Sequence, residues 1–438
     1  MKKSIQAIFL ALFVFCFTNC NDKDNKEEHY NPAVPVELTE FTPKEGGART
    51  QFFIYGSNFG TDKSKIKVTI GQKEAIVIGS NGHCIYCLVP SRAGADCKVQ
   101  VAVGDGDQRQ ESSFDDHFLY EAKPIVTTLS GFTDKDGNTA IVDGTLDKAQ
   151  FEEPYWMIFD KNKDIYMIEE GRALRKLSRK ENKVTTLFRT GNGIGRIRTL
   201  AFTLNQDSLV IGNDQGDDHG VGVIVCEKNN DFMTWKTMIS KAFINGASVH
   251  PLTGEMYYND YRTGMVIKYD FQTQKSKDLF RINDVNEEFN VQFAPSGTFA
   301  YIVVRNHHVI YKVKYNYLTQ ELEKPSGIFC GIRRGDENSR QFADGVGTAA
   351  AFSNPHQGAF DENDNFYICD IMNHCIRKIT PEGVVTTFAG RPQEWGYADG
   401  ELRKAMFDRP HGIAYDMETG TFYVADQKNR RIRMITTE

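Results

Sequence analysis

The sequence has no excess of basic side chains: its 438 residues include 52 Lys and Arg against 58 Asp and Glu, a formal net charge of −6. Because nucleic-acid phosphates require a basic protein face, this balance argues against a nucleic-acid partner. Long apolar runs are missing after the first twenty residues, and the mean hydropathy of −0.45 excludes a polytopic membrane protein. No GxSxG or HExxH motif and no distinctively spaced pair of carboxylates supports catalysis.

Cysteines are few and do not come in an even number. Seven follow the first twenty residues, so at least one thiol stays outside any intrachain disulfide: Cys84, Cys87, Cys97, Cys226, Cys330, Cys369 and Cys375. Cys84 and Cys87 have the spacing of half a zinc site, with His83 and Cys97 nearby, but a closed site needs four ligands. The same stretch alternates like a strand, which favours buried cysteines or one cross-strand disulfide.

Glycine and aromatic residues are abundant instead, with 37 Gly, 30 Phe and 18 Tyr. This composition is typical of strands and turns and predicts an all-β protein.

The first twenty residues have the pattern of an export signal. Two lysines precede an apolar run over 8–17 that is too short to span a bilayer, and the segment ends at Cys20. It resembles the signal of a bacterial lipoprotein, which implies a signal peptide over 1–19 and a lipid anchor on Cys20. Asn19 is larger than the Gly or Ala usual at that place, so a plain secretory signal with an incidental cysteine is the alternative.

Residues 20–33 are polar and charged, without apolar periodicity, and are predicted to form a flexible tether. The acidic residues directly after Cys20 are similar to the surface-export signals of outer-membrane lipoproteins in Gram-negative bacteria. The resemblance implies an exported outer-membrane lipoprotein on the cell surface, held to the membrane by its lipid anchor only. A solvated linker would have the same composition.

Short apolar strands separated by Gly, Pro and Asn fill residues 34–122, at the spacing of a small antiparallel sandwich. The stretch IYGSNFG over 54–60, followed by LVP over 88–90 and FLY over 118–120, resembles an IPT/TIG domain, which has an immunoglobulin-like fold. We expect Phe59 to plug one end of the sandwich. Such domains act as spacers or interaction modules.

A repeat organises residues 123–438. In three places an Asp-Gly pair precedes a Phe by eight residues and a Pro follows that Phe three residues later, at Phe151, Phe352 and Phe407. Phe352 and Phe407 are 55 residues apart, and the 201 residues from Phe151 to Phe352 divide into four similar steps, with weaker copies over 198–212, 246–260 and 291–304. The repeat therefore predicts six four-stranded units.

The ends of the repeat region are complementary. The last unit stops after its third strand, whereas residues 125–131 have the sequence of an outer strand but precede the first unit. We expect them to pair with the last unit and close the ring. The DG, FxxP, YVAD and NxRI elements resemble the NHL repeat, which implies a six-bladed β-propeller. Asp370, Asn373, Asp426 and Asn429 recur at one repeat position and are predicted to brace turns.

The position after each repeat proline should face the central channel, because it opens the innermost strand. Around the ring this position predicts a polar mouth that can bind a polyol, a carboxylate or a metal: Tyr155, Arg198, Asn245, Phe289 or Asn290, His356 and His411. Trp395 and Tyr397, on a loop before the last unit, are further candidates because aromatic rings stack on sugars. Trp156 and Trp235 are weaker candidates, and His250 is expected to lie off the channel.

These observations predict a cell-surface lipoprotein that binds a glycan or a protein through the propeller mouth, with the IPT/TIG domain as a spacer. The layout resembles accessory proteins of polysaccharide uptake, which implies an outer-membrane uptake complex as partner. We expect no cofactor for a binding protein of this kind. A scaffold that docks a membrane partner is a related interpretation.

The alternative is an enzyme. The NHL family includes lyases and hydrolases that use mouth histidines with a divalent metal, and His356 and His411 match two such positions. A catalytic zinc usually has three protein ligands, and the third is missing from the aligned positions. A metal-assisted hydrolase or lyase therefore remains the second hypothesis.

Overall fold

The computed structural model describes residues 29–90, 93–133, 137–191, 193–215, 220–282, 287–335 and 341–438. The predicted signal peptide, the lipidation site Cys20 and most of the tether lie outside these residues. Within them, no helix is both long enough and apolar enough to cross a membrane. The chain divides into two compact units, one that ends at Lys123 and also includes Glu438, and one over Pro124–Thr437. The all-β prediction is confirmed.

The first unit contains two sheets that share one core. Their strands are β1 (Glu37–Thr42), β2 (Glu45–Gly46), β3 (Gln51–Ser57), β4 (Ile66–Ile70), β5 (Lys73–Glu74), β6 (Ile76–Ser80), β7 (Cys84–Leu88), β8 (Asp96–Val103) and β9 (Gln110–Tyr120). One sheet has the order β1-β3-β7-β6 and the other the order β2-β9-β8-β4-β5. All pairs are antiparallel except β2 with β9. This arrangement is an immunoglobulin-like sandwich, as predicted.

Aromatic rings fill the core between the two sheets. Phe41 packs edge-on against Phe114, with ring centroids 4.9 Å apart, and Phe52 packs edge-on against Phe118 at 5.3 Å. Phe59 is buried in the same core, as expected. Residues before the predicted domain start at 34 also contact this unit. The side chain of Asn58 accepts from the N–H of Asn31 and donates to the carbonyl oxygens of Asn31 and Val34.

None of the seven described cysteines is in a disulfide. Six are buried, and burial raises the pKa of the Cys87 thiol to about 12. Among the described residues no three Cys, His, Asp or Glu side chains could hold a metal ion. Of the alternatives left open by the sequence, the structure therefore has buried thiols.

The second unit contains six antiparallel sheets within the described residues, each with four main strands. Each sheet is one blade, and the blades are numbered in chain order. The strands of blades one to three are β11 (Pro154–Phe159), β12 (Ile165–Glu169), β13 (Ala173–Ser178), β14 (Lys183–Arg189); β15 (Ile197–Phe202), β16 (Ser208–Asn213), β17 (Val223–Glu227), β18 (Trp235–Ile239); β19 (Ala247–Val249), β20 (Met256–Asp260), β21 (Met265–Asp270) and β22 (Lys275–Arg281). β10 (Pro124–Ser130) precedes them and belongs to the last blade.

The strands of blades four to six are β23 (Phe289–Phe293), β24 (Phe299–Val304), β25 (Val309–Asn316), β26 (Glu321–Leu322); β27 (Gly345–Val346), β28 (Pro355–Phe360), β29 (Phe366–Asp370), β30 (Cys375–Ile379), β31 (Val384–Ala389); β32 (Gly400–Glu401), β33 (Pro410–Asp416), β34 (Thr421–Asp426) and β35 (Arg431–Thr437). Single-turn 3-10 helices lie at Lys63–Lys65, Gly106–Gln108, Lys228–Asn230, Gly347–Ala349 and Ile371–Asn373. The six blades confirm the predicted propeller.

The ring closes as the sequence predicts. β10 pairs antiparallel with β35, and Val126 lies opposite Ile435. Val126 is fully buried among apolar side chains of the last two blades. The first strand of the unit thus completes the last blade and removes two open sheet edges.

We expect Val126→Ala to lower the free energy of unfolding by about 2 kcal/mol, because it leaves a cavity in the core of the closing blade. The matched control is Val346→Ala, since Val346 is 61% exposed. Urea unfolding of the two variants measures the difference. Equal stabilities would show that β10 does not contribute to the core of the last blade.

Candidate functional site

Three polar side chains join the innermost strands of different blades. Gln357 accepts hydrogen bonds from the N–H groups of Met157 (2.9 Å) and Ile413 (3.2 Å), which connects blade five to blades one and six. Gln292 accepts from the N–H of Gly358 at 2.8 Å, and Thr199 accepts from a backbone N–H of blade three. These bonds hold the starts of the innermost strands at fixed positions around the channel.

A pocket lies where the innermost strands begin. Its walls are formed by Tyr155, Arg198, Asn245, Glu288, Phe289, Asn290, Arg305 and His356. Its space for water-sized groups is about 20 Å³, and it is open to solvent. One water molecule needs about 10–15 Å³ on this measure, so the pocket admits one small polar group of a larger ligand and not a whole small molecule.

The structure brings together the residues that the repeat places at the mouth. Tyr155, Arg198, Asn245 and His356 line the pocket directly, and so do both candidates in blade four. His411 lies beside them: its ring centroid is 5.0 Å from that of Tyr155 and 5.5 Å from that of His356. Residues from all six blades therefore meet at one place, although they are up to 256 positions apart in sequence (411 − 155).

Arg198 is the centre of a charged network on one side of the mouth. Its Nε and Nη2 donate to one oxygen of Asp214, at 3.2 and 3.1 Å, and its Nη1 donates to Glu170 at 2.6 Å. Nη1 also donates to the hydroxyl of Tyr155 at 3.0 Å, which positions that ring. Burial is the largest effect on Glu170 and disfavours its charged form, but the charge of Arg198 and the charge and hydrogen bond of Arg196 act together against it, so the pKa of that carboxyl is lowered.

A second ion pair lies on the other side. The guanidinium of Arg305 donates through Nε and Nη2 to one carboxylate oxygen of Glu288. Burial opposes ionisation of Glu288, but Arg305 lowers the pKa of the carboxyl. Both ion pairs are therefore charged at neutral pH.

Glu170, Asp214 and Arg305 were not predicted from the sequence. Each directly follows the last residue of the second strand of its blade, because β12, β16 and β24 end one residue earlier. In an antiparallel blade the end of the second strand lies beside the start of the first. Aligning the second strands of the repeat would have found these residues.

His356 and His411 are neutral and have defined tautomers. Nδ1 of His356 lies 2.8 Å from the carbonyl oxygen of His411, and Nδ1 of His411 lies 2.8 Å from that of Arg409. Because a carbonyl only accepts, each Nδ1 carries the proton and each Nε2 is an acceptor. Burial lowers the pKa of His411 to about 4 and that of His356 well below its usual value.

These residues do not fit a catalytic metal site. The two imidazoles offer two ligands, and no cluster of three metal-binding side chains occurs in the described part of the chain. A catalytic zinc takes three protein ligands. A metal at His356 and His411 would therefore lack a complete set of protein ligands among the described residues.

The other aromatic candidates lie elsewhere. Trp395 is 68% exposed and Tyr397 is half exposed, and neither lines the mouth pocket. The ring of Tyr397 is covered by the guanidinium groups of Arg431 and Arg433, with Cζ 4.4 and 4.9 Å from its centroid, so it is occupied by packing. Trp156 is buried beside His356.

His250 lies off the channel as expected, because it is buried and bonds to the backbone of Gly297. Asp370 and Asp426 are confirmed as braces. Each binds the side chain of the Asn three residues later and a backbone N–H of the loop before its blade.

Two segments of the chain match known families. Residues 35–120 match the IPT/TIG domain, and residues 407–433 match the NHL repeat.

Solved structures from Bacteroides are similar over nearly the whole chain. An auxiliary nutrient binding protein from Bacteroides thetaiotaomicron is 38% identical with a TM-score of 0.76, over 94% of this chain and 100% of that one. A second auxiliary nutrient binding protein, from Bacteroides ovatus, is 34% identical with a TM-score of 0.71, over 94% and 100%. A candidate phosphatase from B. thetaiotaomicron is 31% identical with a TM-score of 0.71, over 94% and 99%.

A curated plant relative is more distant. The chloroplastic protein SUPPRESSOR OF QUENCHING 1 of Arabidopsis thaliana is 25% identical over 311 residues, which are 68% of this chain. The chain spans about a quarter of that protein's length, 26%.

Proposed function

This chain belongs to the same family as the auxiliary nutrient binding proteins of Bacteroides, and from that premise we propose that it binds a nutrient at the propeller mouth. The nutrient we favour is a glycan, bound by one end group, since the pocket is small. The chain acts as a binding protein in this proposal, not as an enzyme.

One observation carries the proposal: the mouth pocket is lined by mostly buried side chains whose polar atoms are accessible from the pocket and make no hydrogen bond to the described residues. The Nδ2 of Asn290 and the Nε2 of His356 make no hydrogen bond to the described residues, although these side chains are only 7% and 4% exposed. Side chains held in place by their surroundings, with a donor and an acceptor turned to an open pocket, can bind a polar ligand without first breaking hydrogen bonds within the protein.

We propose that the protein is exported and anchored by a lipid on Cys20, at the cell surface. Support comes from the sequence pattern of residues 1–20 and from the nutrient-binding relatives. The first unit would act as a spacer. An outer-membrane uptake complex is the partner that this arrangement suits.

The test is a glycan array followed by calorimetric titration of each glycan that binds. We expect Asn245→Ala to weaken binding by about tenfold, because one hydrogen bond to the ligand is lost. The matched control is Asn229→Ala, since Asn229 lies on an exposed turn. We expect this control to bind as the wild type does.

Two results would contradict the proposal. Loss of binding in Trp395→Ala, with Asn245→Ala unaffected, would place the ligand on the exposed loop. Release of product from any glycan, or of phosphate from a phosphate ester, would make the protein an enzyme.

A further inference from the structure

The hydrogen-bond network fixes which atoms of the mouth face the ligand. Asn259 is oriented by backbone groups, because its Oδ1 accepts from the N–H groups of Asn245 (3.1 Å) and Gly246 (2.8 Å) and its Nδ2 donates to the carbonyl of Phe289 (2.8 Å). The same Nδ2 lies 2.6 Å from the Asn245 side chain. The Asn245 atom at this contact must therefore be its oxygen, which leaves its NH₂ group to the pocket.

Asn290 is oriented in the same way through Gln292. The Oε1 of Gln292 accepts from the N–H of Gly358 at 2.8 Å, and its Nε2 donates to the carbonyl of His356 at 2.9 Å. That Nε2 lies 2.6 Å from Asn290, so the oxygen of Asn290 faces it. The NH₂ group of Asn290 is then also left to the pocket.

Two more donors complete the set. The hydroxyl of Tyr155 accepts from Arg198, so its own hydrogen is available. Arg305 uses Nε and Nη2 for Glu288, and its Nη1 has no acceptor among the described residues. Against these four donor groups the pocket offers two acceptors, the Nε2 of His356 and the second carboxylate oxygen of Glu288.

This excess of donors selects the chemistry of the ligand. A sugar hydroxyl brings one donor hydrogen with its two lone pairs, so each hydroxyl adds a further donor to a pocket that already has more donors than acceptors. A carboxylate is acceptor-only and its two oxygens have about four lone-pair sites. Its hydrogen bonds are also charge-assisted, and Arg305 supplies a guanidinium with one nitrogen uncommitted.

We propose that the mouth pocket recognises a carboxylate, and that the bound end group is a uronic acid. This inference rests on the proposed function, since it names the class of nutrient that the same pocket takes. The small pocket has room for the carboxylate, and its opening to solvent leaves the sugar ring outside. Asn245, Asn290 and Arg305 are the residues that determine specificity.

The test is calorimetric titration of the full chain with methyl glucuronide and methyl glucoside, which differ only in the carboxylate. We expect the wild type to bind the glucuronide at least about tenfold more tightly. Asn290→Asp keeps the shape of the side chain and replaces donors by an acceptor, so it should lower glucuronide affinity by about 10- to 100-fold. Asn162→Asp, on an exposed turn, adds the same charge and should change nothing.

A second variant guards against misfolding. Arg305→Gln should reduce the preference for the glucuronide over the glucoside; because it also leaves Glu288 without its ion-pair partner, its melting temperature is measured and the titration is done well below it. If the wild type binds both sugars equally, or binds only neutral glycans and loses them in Asn245→Ala, the carboxylate inference is wrong and the mouth remains the binding site. If no glycan binds, or if mouth variants bind as the wild type does, both proposals fail.

Discussion

Replacing Arg433 by methionine is expected to lower the free energy of unfolding by about 3–5 kcal/mol, because it leaves a carboxylate buried without its partner. The guanidinium of Arg433 is fully buried and donates to Asp426 and Asp399, at 2.7 Å each. It also donates to the carbonyl of Ala398 at 2.7 Å. Methionine fills a similar volume but cannot compensate the charge of Asp426, which is fully buried as well.

The double variant Asp426→Asn with Arg433→Met is the control, since it removes both charges. We expect it to recover much of the stability lost in the single variant, because no buried charge remains uncompensated. A double variant that is as unstable as the single variant would show that packing, and not charge, makes Arg433 important.

The stability lost in Arg433→Met should depend on pH. Burial raises the pKa of Asp426 to about 6 even with Arg433 present, and without Arg433 it would rise further. A carboxyl whose pKa is raised on folding favours the folded state at low pH and loses that contribution as the pH rises through the folded pKa. The defect of Arg433→Met should therefore be smaller at pH 5 than at pH 8 in urea unfolding.

The second large effect is expected from Gly412→Ala, at the contact between the last blade and the first. A Cβ at this position would lie 1.8 Å from the carbonyl oxygen of Tyr155 and 3.0 Å from the Oε1 of Gln357. Neither atom can move freely, since Gln357 is bound to the innermost strands of blades one and six. We expect the strands to separate and the stability to fall by about 3 kcal/mol.

This variant should also weaken ligand binding, because Tyr155 belongs to the mouth pocket. The matched control is Gly327→Ala, where an added Cβ meets no atom within 4 Å. Thermal unfolding and calorimetric titration of both variants measure the two effects. Wild-type stability in Gly412→Ala would contradict the close approach of the two blades.

Much of the fold could be predicted because packing imposes a period on the sequence. The Asp-Gly, Phe and Pro positions recur since each blade needs the same turns and the same contacts to its neighbour. The closing strand was predictable for the same reason. The last blade stops after its third strand, so the outer strand at residues 125–131 completes it. Asp370 and Asp426 were correctly interpreted as braces, but their buried partners Arg377 and Arg433 were not identified.

The candidate site was only partly predictable. Tyr155 and His356 follow the repeat prolines and were found by counting. Glu170, Asp214 and Arg305 were missed because the repeat prolines mark the first strand of each blade, whereas these three residues directly follow the second strand. Tyr397 was a candidate because an exposed aromatic ring on a loop is typical of surfaces that stack on sugars. In the structure the guanidinium groups of Arg431 and Arg433 cover this ring.

The most direct test of the account is a crystal structure of the protein with its tightest-binding glycan. We predict electron density for one end group between Tyr155, Asn290 and His356, with an acceptor of the ligand within hydrogen-bond distance of the Nδ2 of Asn290. A ligand bound at Trp395, at the opposite ends of the innermost strands or on the first unit, with the mouth pocket holding only water, would contradict it.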